Sequence, residues 1–139
     1  MPGAYLLLVE LSDPLALSLA GRPRVLRPGV HAYCGSAHGP GGLAARLARH
    51  LRADKRPHWH VDRLTVAGRV AALYARPEGR ECDLVKALLS LPGTAIPLPG
   101  FGSSDCRACP AHLVEVPADK ELPDLPGLCR IRPDGVGAG

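Results

Sequence analysis

The sequence lacks a hydrophobic run long enough to cross a membrane. The longest apolar run near its start, at positions 4–9, is far shorter than the roughly 20 residues that a spanning helix needs, and Glu10 follows it. No basic region precedes this run, so we expect neither a membrane span nor a secretory signal peptide. The cysteines number five, which is odd and does not suit a closed disulfide framework. We therefore expect a cytoplasmic protein whose cysteines are thiols or metal ligands.

Aromatic residues are also scarce, with three Tyr, one Trp and one Phe among 139 residues. Rows of aromatic side chains on which bases stack are typical of proteins that bind single strands without sequence preference, and this chain is poorly equipped for that mode. Positive charge is concentrated instead, because positions 21–80 carry twelve Arg or Lys and three acids. Such an excess suits a polyanion bound through its phosphates, and nucleic acid is the expected partner. The alternative is an ordinary solvated surface on an arginine-rich chain.

The length predicts one domain, at positions 1–133, and the unpatterned end at 134–139 predicts a disordered tail. Apolar runs at positions 4–11, 24–27 and 30–35 predict an antiparallel meander, with Pro28-Gly29 as a turn. The segment GLAARLARHLRAD has leucines every four residues and predicts a helix. A second helix is expected from about Arg80 to Pro92, and HLVEV is expected as the last strand. HWHVDRLTV and RVAALYA are compatible with extended or short helical pieces.

Two short motifs occur in order on the expected strands, GAY at positions 3–5 and YCG at positions 33–35, and a helix with Arg46 follows. With the later Glu81, this set resembles the GIY-YIG nuclease superfamily. The segments GAYLLLVEL, GVHAYCGSAHGPGGLAARLARHLR, HWHVDRL, REC and GFGSSDC followed by HL are similar to the Uri subfamily, over positions 3–113. The resemblance implies an α+β fold, with a small antiparallel or mixed β-sheet flanked by helices. It also implies metal-dependent hydrolysis of phosphodiester bonds, in DNA more than in RNA.

The resemblance also implies roles for single residues. The positions that match the family's catalytic residues are Tyr5, Tyr33, Arg46, His50 and Glu81. Glu81 matches the carboxylate that binds a magnesium or manganese ion. Ser36 stands where nucleotide-excision relatives have a lysine. Contacts to nucleic acid are expected from Ser36, Arg49, Arg52, Lys55 and Arg56.

The chemistry of these residue types agrees with the implied roles. A carboxylate can hold a divalent ion that keeps several waters, and the planar fork of Arg46 matches two phosphate oxygens. A phenol with a pKa near 10 is a poor base at neutral pH, so the assignment of the base among Tyr5, Tyr33 and His50 stays open. Each of these residues also has a structural alternative. The two tyrosines could be core residues, and Arg46 and His50 could lie on a solvated helix face. Glu81 could be an acid at a helix N-terminus, where the macrodipole favours it.

Two further clusters have metal-ligand composition. Cys106, Cys109 and His112 are spaced as in a zinc knuckle, and Cys82 could supply a fourth ligand; the alternative is a disulfide or plain buried thiols. His58-Trp59-His60 with Asp62 could bind metal or phosphate. A hydrogen-bonded structural role is the alternative for that cluster.

The function expected from the sequence is a metal-dependent endonuclease. The first alternative is a nucleic-acid-binding module of the same fold that does not cleave. The second is a small metal-thiolate protein built on Cys106 and Cys109, which leaves the basic stretch unexplained.

Overall fold

The structure is a computed structural model that describes residues 3–19, 21–37, 42–51, 60–101, 111–117 and 128–131. These residues form seven strands and three helices. In chain order they are β1 (Gly3–Leu11), β2 (Leu15–Leu19), β3 (Arg22–Leu26), β4 (Gly29–Ala37), α1 (Gly42–Leu51), α2 (His60–Ala67), β5 (Arg69–Pro77), α3 (Glu81–Leu89), β6 (Leu113–Val116) and β7 (Cys129–Ile131). Five strands form one sheet in the order β6-β4-β1-β5-β7, antiparallel throughout, and β2 pairs with β3 in a separate sheet. The expected α+β class is confirmed.

The central strand, β1, is apolar on both of its faces. Tyr5, Leu7 and Val9 belong to one core cluster, whereas Ala4 and Leu6 belong to another. Side chains alternate between the two faces of a sheet, so a strand that is covered on both faces needs apolar residues at successive positions. This requirement explains the unbroken apolar run that predicted the strand.

Different helices cover the two faces of the sheet. We call the side that carries Tyr5 the α1 face, because Leu47 of α1 packs there together with Leu64 of α2. The opposite side is the α3 face, where Leu84 and Leu88 of α3 pack. The sheet therefore separates two cores, and a candidate site can be placed by the face to which its side chains belong.

The predicted meander is wrong in its pairing. The strand at positions 22–26 pairs with β2, and β4 pairs directly with β1. Leu17 and Leu19 of β2 are buried in the core of the α1 face, so the β2-β3 hairpin packs there rather than between β1 and β4. Leucines alternate along β2, at positions 15, 17 and 19, and this period-two pattern is the signal from which the strand could have been predicted.

The remaining predicted elements are mostly confirmed. The expected helices are α1 and α3, and the strand expected at HLVEV is β6, although it is not the last strand because β7 follows it. The two undecided segments form helix α2 and strand β5, and β7 was not predicted. The expected tail at positions 134–139 lies outside the described residues. In the part of the chain that the structure describes, no helix is both long and apolar enough to cross a membrane.

Candidate active site and metal-ligand cluster

The two motif tyrosines lie side by side on the α1 face. The antiparallel register pairs Tyr5 of β1 with Gly35 of β4, and the ring centroids of Tyr5 and Tyr33 are 6.1 Å apart. A Cβ atom on Gly35 would overlap Cζ and Oη of Tyr5 and would lie 2.9 Å from Cε2 of Tyr33. The glycine of the second motif is thus needed because the first tyrosine lies across it.

Helix α1 brings Arg46 and His50, which are one turn apart, to the same tyrosine. Tyr5 Oη is 2.7 Å from His50 Nε2, and the two ring centroids are 5.2 Å apart. The Arg46 guanidinium acts on the Tyr5 hydroxyl through its charge and a hydrogen bond. The prediction that Arg46 and His50 share a helix face is therefore confirmed.

These four side chains, which we call the tyrosine cluster (Tyr5, Tyr33, Arg46 and His50), are buried to different degrees. Tyr5 and His50 are each only 1% exposed, and Tyr33 is 8% exposed. Arg46 is half-buried. Arg46 is thus the member of the cluster that solvent reaches most easily.

Both phenols are protonated at neutral pH, and burial raises their pKa values further above the usual value. It raises the pKa of Tyr5 far above the usual value; Tyr33 raises it further and Arg46 opposes the rise. Burial raises the pKa of Tyr33 to about 12, against opposing effects from Arg46 and from a hydrogen bond with Tyr5. Both hydroxyls can therefore donate hydrogen bonds, but neither can act alone as a general base.

The predicted metal ligand Glu81 has unexpected neighbours. It is the first residue of α3, and its carboxylate lies with Cys82 Sγ and a ring nitrogen of His112 in a group whose donor atoms are all within 4.8 Å of one another. Cys82 Sγ is 3.8 Å from His112 Nε2. Burial raises the pKa of Cys34, and the charges of Cys82 and Glu81 raise it further. Glu81, Cys82 and His112, which we call the α3 cluster, are thus next to a neutral thiol of the α3 face.

The cysteines in the described residues are thiols, as expected. Cys34, Cys82 and Cys129 are all free. The other two, Cys106 and Cys109, lie outside the described residues.

The predicted nucleic-acid contacts are only partly described. Arg49 forms an ion pair with Asp62 at 2.8 Å, in which the Asp62 side chain is fully buried. Ser36 is half-buried on β4. Three of the predicted contacts lie outside the described residues: Arg52, Lys55 and Arg56. His58 and Trp59 also lie outside them, and the buried ion pair supports the structural alternative for Asp62.

The comparison with protein families gives one match. A family described as "Domain of unknown function DUF123" matches residues 4–127. The chain belongs to the DUF123 family. DUF123 is a GIY-YIG-like family, which confirms the broader resemblance, and the match names no nuclease subfamily. The chain matches no curated protein and no solved structure.

Two features of this DUF123 site were not predicted. One is the proximity of Glu81 to His112, and the other is the buried ion pair between Arg49 and Asp62. Both depend on how separate elements dock against one another, so no local pattern indicated either of them.

Proposed function

We propose that this protein is a Uri-type endonuclease that hydrolyses nucleic-acid phosphodiester bonds, in DNA more than in RNA. The observation that carries the proposal is the set of partners around the Tyr5 hydroxyl. This hydroxyl lies 2.7 Å from His50 Nε2, and it also interacts by hydrogen bonds with Tyr33 and Arg46. Burying three hydrogen-bonding side chains and a guanidinium together costs desolvation energy. Core packing alone does not require that cost, whereas charge stabilisation and proton transfer use such groups.

Arg46 is proposed to bind the scissile phosphate. It is the most exposed member of the tyrosine cluster, and its fork can donate to two phosphate oxygens. Its contact with the Tyr5 hydroxyl fixes the direction of the guanidinium before substrate binds. A preorganised cation stabilises the charge that develops on the phosphate oxygens in the transition state.

The tyrosines are proposed to relay a proton. Tyr33 accepts a hydrogen bond from Tyr5 before the reaction. Because each phenol stays protonated, Tyr33 can take a proton from the attacking water only as its own hydroxyl turns to donate to Tyr5. Tyr5 in turn passes its proton to His50 Nε2. The relay leaves both phenols neutral, so their raised pKa values do not oppose it. His50 is the base in this scheme. The water oxygen bonds to phosphorus as the bond to the ester oxygen breaks, and the leaving oxygen takes a proton from solvent.

The ion that the resemblance implies does not fit the neighbours of Glu81. Magnesium and manganese prefer oxygen ligands, whereas the other two donors of the α3 cluster are a thiol and an imidazole. No step proposed here passes through such an ion. That Glu81 supports cleavage by holding an ion stays a prediction.

A second function is favoured by one observation. Only 1% of Tyr5 and 1% of His50 is exposed. Such burial also suits side chains whose hydrogen bond only stabilises the core. The protein would then be a nucleic-acid-binding module of the same fold that does not cleave.

Cleavage of end-labelled DNA tests the endonuclease against the binding module. The full chain is assayed on single-stranded, duplex and branched DNA and on RNA, with EDTA, magnesium, manganese or zinc. Tyr5→Phe removes the hydroxyl and keeps the ring, and Tyr74→Phe, at a half-buried tyrosine of β5, is the matched control. We expect the parent and the control to cleave, and Tyr5→Phe to lose about 10²-fold or more in rate. A parent protein that binds nucleic acid without cleaving it would favour the binding module. A parent protein that neither binds nor cleaves would contradict both proposed functions.

A further inference from the structure

The α3 cluster brings three different metal-ligand types together on the α3 face. Its donors are the carboxylate of Glu81, the thiol of Cys82 and the imidazole of His112, all within 4.8 Å of one another. Glu81 alone has an ordinary structural explanation, since an acid in the first turn of a helix is favoured by the macrodipole. That explanation covers neither the thiol nor the imidazole beside it.

The spacing of the donors suits a tetrahedral zinc ion. With Zn–S near 2.3 Å and Zn–N near 2.0 Å, a tetrahedral ion holds its sulfur and nitrogen ligands about 3.5 Å apart. Cys82 Sγ and His112 Nε2 are 3.8 Å apart. The two atoms could therefore bind one ion with very little movement of either residue.

The donor types also select the ion. Thiolate and imidazole are preferred ligands of zinc, and a carboxylate is accepted as a third. Calcium and magnesium take oxygen ligands instead. A Cys, His and Glu set therefore indicates zinc.

The backbone around His112 is fixed on both sides. Its N–H donates to the carbonyl of Phe101 at 2.9 Å, and its own carbonyl accepts from the N–H of Cys34 at 2.8 Å. His112 is 6% exposed, whereas Glu81 and Cys82 are half-buried. The backbone that carries the imidazole is thus held in place, and an ion can enter from the side of α3.

We propose that Glu81, Cys82 and His112 bind one zinc ion that joins the first turn of α3 to the segment entering β6. The site crosses from a helix to the sheet, so the bound ion stabilises the docking of α3. This inference is independent of the proposed nuclease activity, because it concerns metal binding in the absence of any nucleic acid.

Cobalt(II) substitution in the full chain tests the proposal directly. The protein is stripped with EDTA, titrated with Co²⁺ under reducing conditions, and then titrated with Zn²⁺ in competition. We expect one equivalent of Co²⁺ with intense visible d–d bands, typical of tetrahedral geometry, and a thiolate-to-cobalt charge-transfer band in the near ultraviolet. Zinc should abolish both, and it should raise the thermal unfolding temperature of the stripped protein.

Single-residue variants identify the ligands. Cys82→Ser should remove or weaken the charge-transfer band and lower zinc affinity at least tenfold, and Glu81→Gln should also lower zinc affinity without loss of that band. Cys129→Ser, at an exposed thiol of β7, is the matched control and should leave the charge-transfer band and the zinc affinity unchanged. Circular dichroism of the stripped proteins checks that each variant folds.

Two outcomes would overturn the proposal. One is a parent protein that shows neither tetrahedral bands nor stoichiometric zinc. The other is a Cys82→Ser variant with the parent's spectrum and affinity, because a zinc site made only by Cys106, Cys109 and His112 would be indifferent to Cys82. His112 belongs to both ligand sets, so its loss is not used to distinguish them.

Discussion

Tyr5 Oη and His50 Nε2 lie 2.7 Å apart, although 45 positions separate the two residues in the chain. The contact joins the central strand to α1, and both groups are buried. A buried hydrogen bond is costly to leave unmade. The tyrosine cluster therefore forms together with the docking of α1, and changes that displace either ring should affect stability as well as chemistry.

Gly35→Ala should displace Tyr5. The added Cβ would overlap the Tyr5 ring and its hydroxyl, and overpacking of this kind costs about 1–3 kcal/mol. Urea unfolding measures the loss. Ser36→Ala, at the next and half-buried position of the same strand, is the control and should change stability by less than about 0.5 kcal/mol. Equal stability of the parent and Gly35→Ala would show that Tyr5 can move at no cost.

Arg49→Ala should destabilise the fold rather than only weaken binding. Its partner Asp62 is a fully buried carboxylate, and breaking a buried ion pair costs about 3 kcal/mol. Thermal or urea unfolding checks this value. Arg63→Ala, at an exposed arginine of α2, should be nearly neutral. If Arg49→Ala kept full stability and lost only DNA affinity, Arg49 would be the phosphate contact that the sequence predicted.

The sequence predicted the elements whose patterns are local. The apolar run of β1 and the four-residue spacing of Leu43 and Leu47 in α1 are properties of single segments. Strand β7 forms by pairing with β5. It is only three residues long, and so short a segment has no periodicity from which a strand could be predicted. The resemblance grouped the residues of the tyrosine cluster, whereas the direct pairing of β1 with β4 that brings the two tyrosines together was not predicted.

The α3 cluster was only partly predictable. Its spacing made His112 a candidate zinc ligand, and Cys82 was a conceivable partner. The pairing of Cys82 with His112 spans 30 positions and depends on how α3 docks against β4 and β6. The grouping with Glu81 follows from that docking, which no periodicity in the sequence specifies.

Stability should fall between pH 10 and pH 12 because of Tyr33. Burial raises the pKa of Tyr33 to about 12 from 10.0. Above pH 10 the unfolded chain releases the phenol proton while the native protein keeps it. The unfolded state is therefore stabilised relative to the native state, and the free energy of unfolding falls as pH rises. The change attributable to Tyr33 is on the order of 2 kcal/mol. Below pH 10 this contribution stays constant.

Unfolding in urea across this pH range measures the effect. Tyr33→Phe should show a shallower loss of stability than the parent, and the control Tyr74→Phe should keep the parent's slope. Parallel curves for the parent and Tyr33→Phe would mean that the Tyr33 hydroxyl ionises in the native protein as easily as in the unfolded chain.

If Glu81 holds the ion that the resemblance implies, Glu81→Gln should abolish cleavage while leaving DNA affinity nearly intact. The variant removes a carboxylate charge, and the arginines that attract phosphate remain. Asp83→Asn is the matched control, since Asp83 is an exposed acid in the same first turn of α3. Cleavage rates and filter binding separate the two effects. Cleavage by Glu81→Gln at the parent's rate would show that this carboxylate does not serve the reaction.

Arg46→Ala should slow cleavage by about 10²–10³-fold, the usual cost of one preorganised donor to a transition-state charge. Arg46→Lys should recover little of the loss, because an ammonium group keeps the charge and lacks the two-pronged geometry. Arg130→Ala, at an exposed arginine of β7, is the control for the loss of one positive charge and should cleave at the parent's rate.

Two measurements separate a role in the reaction from a structural one. Because Arg46 also contacts the Tyr5 hydroxyl, its removal could act by loosening the tyrosine cluster, and thermal unfolding reports such loosening. A role in the transition state predicts that Arg46→Lys unfolds close to the parent's temperature and still cleaves slowly, with DNA affinity reduced far less than rate. If instead Arg46→Lys restored cleavage fully, charge alone would be sufficient and the fork would have no part in binding the phosphate. Full activity in Arg46→Ala would assign this arginine to the helix surface.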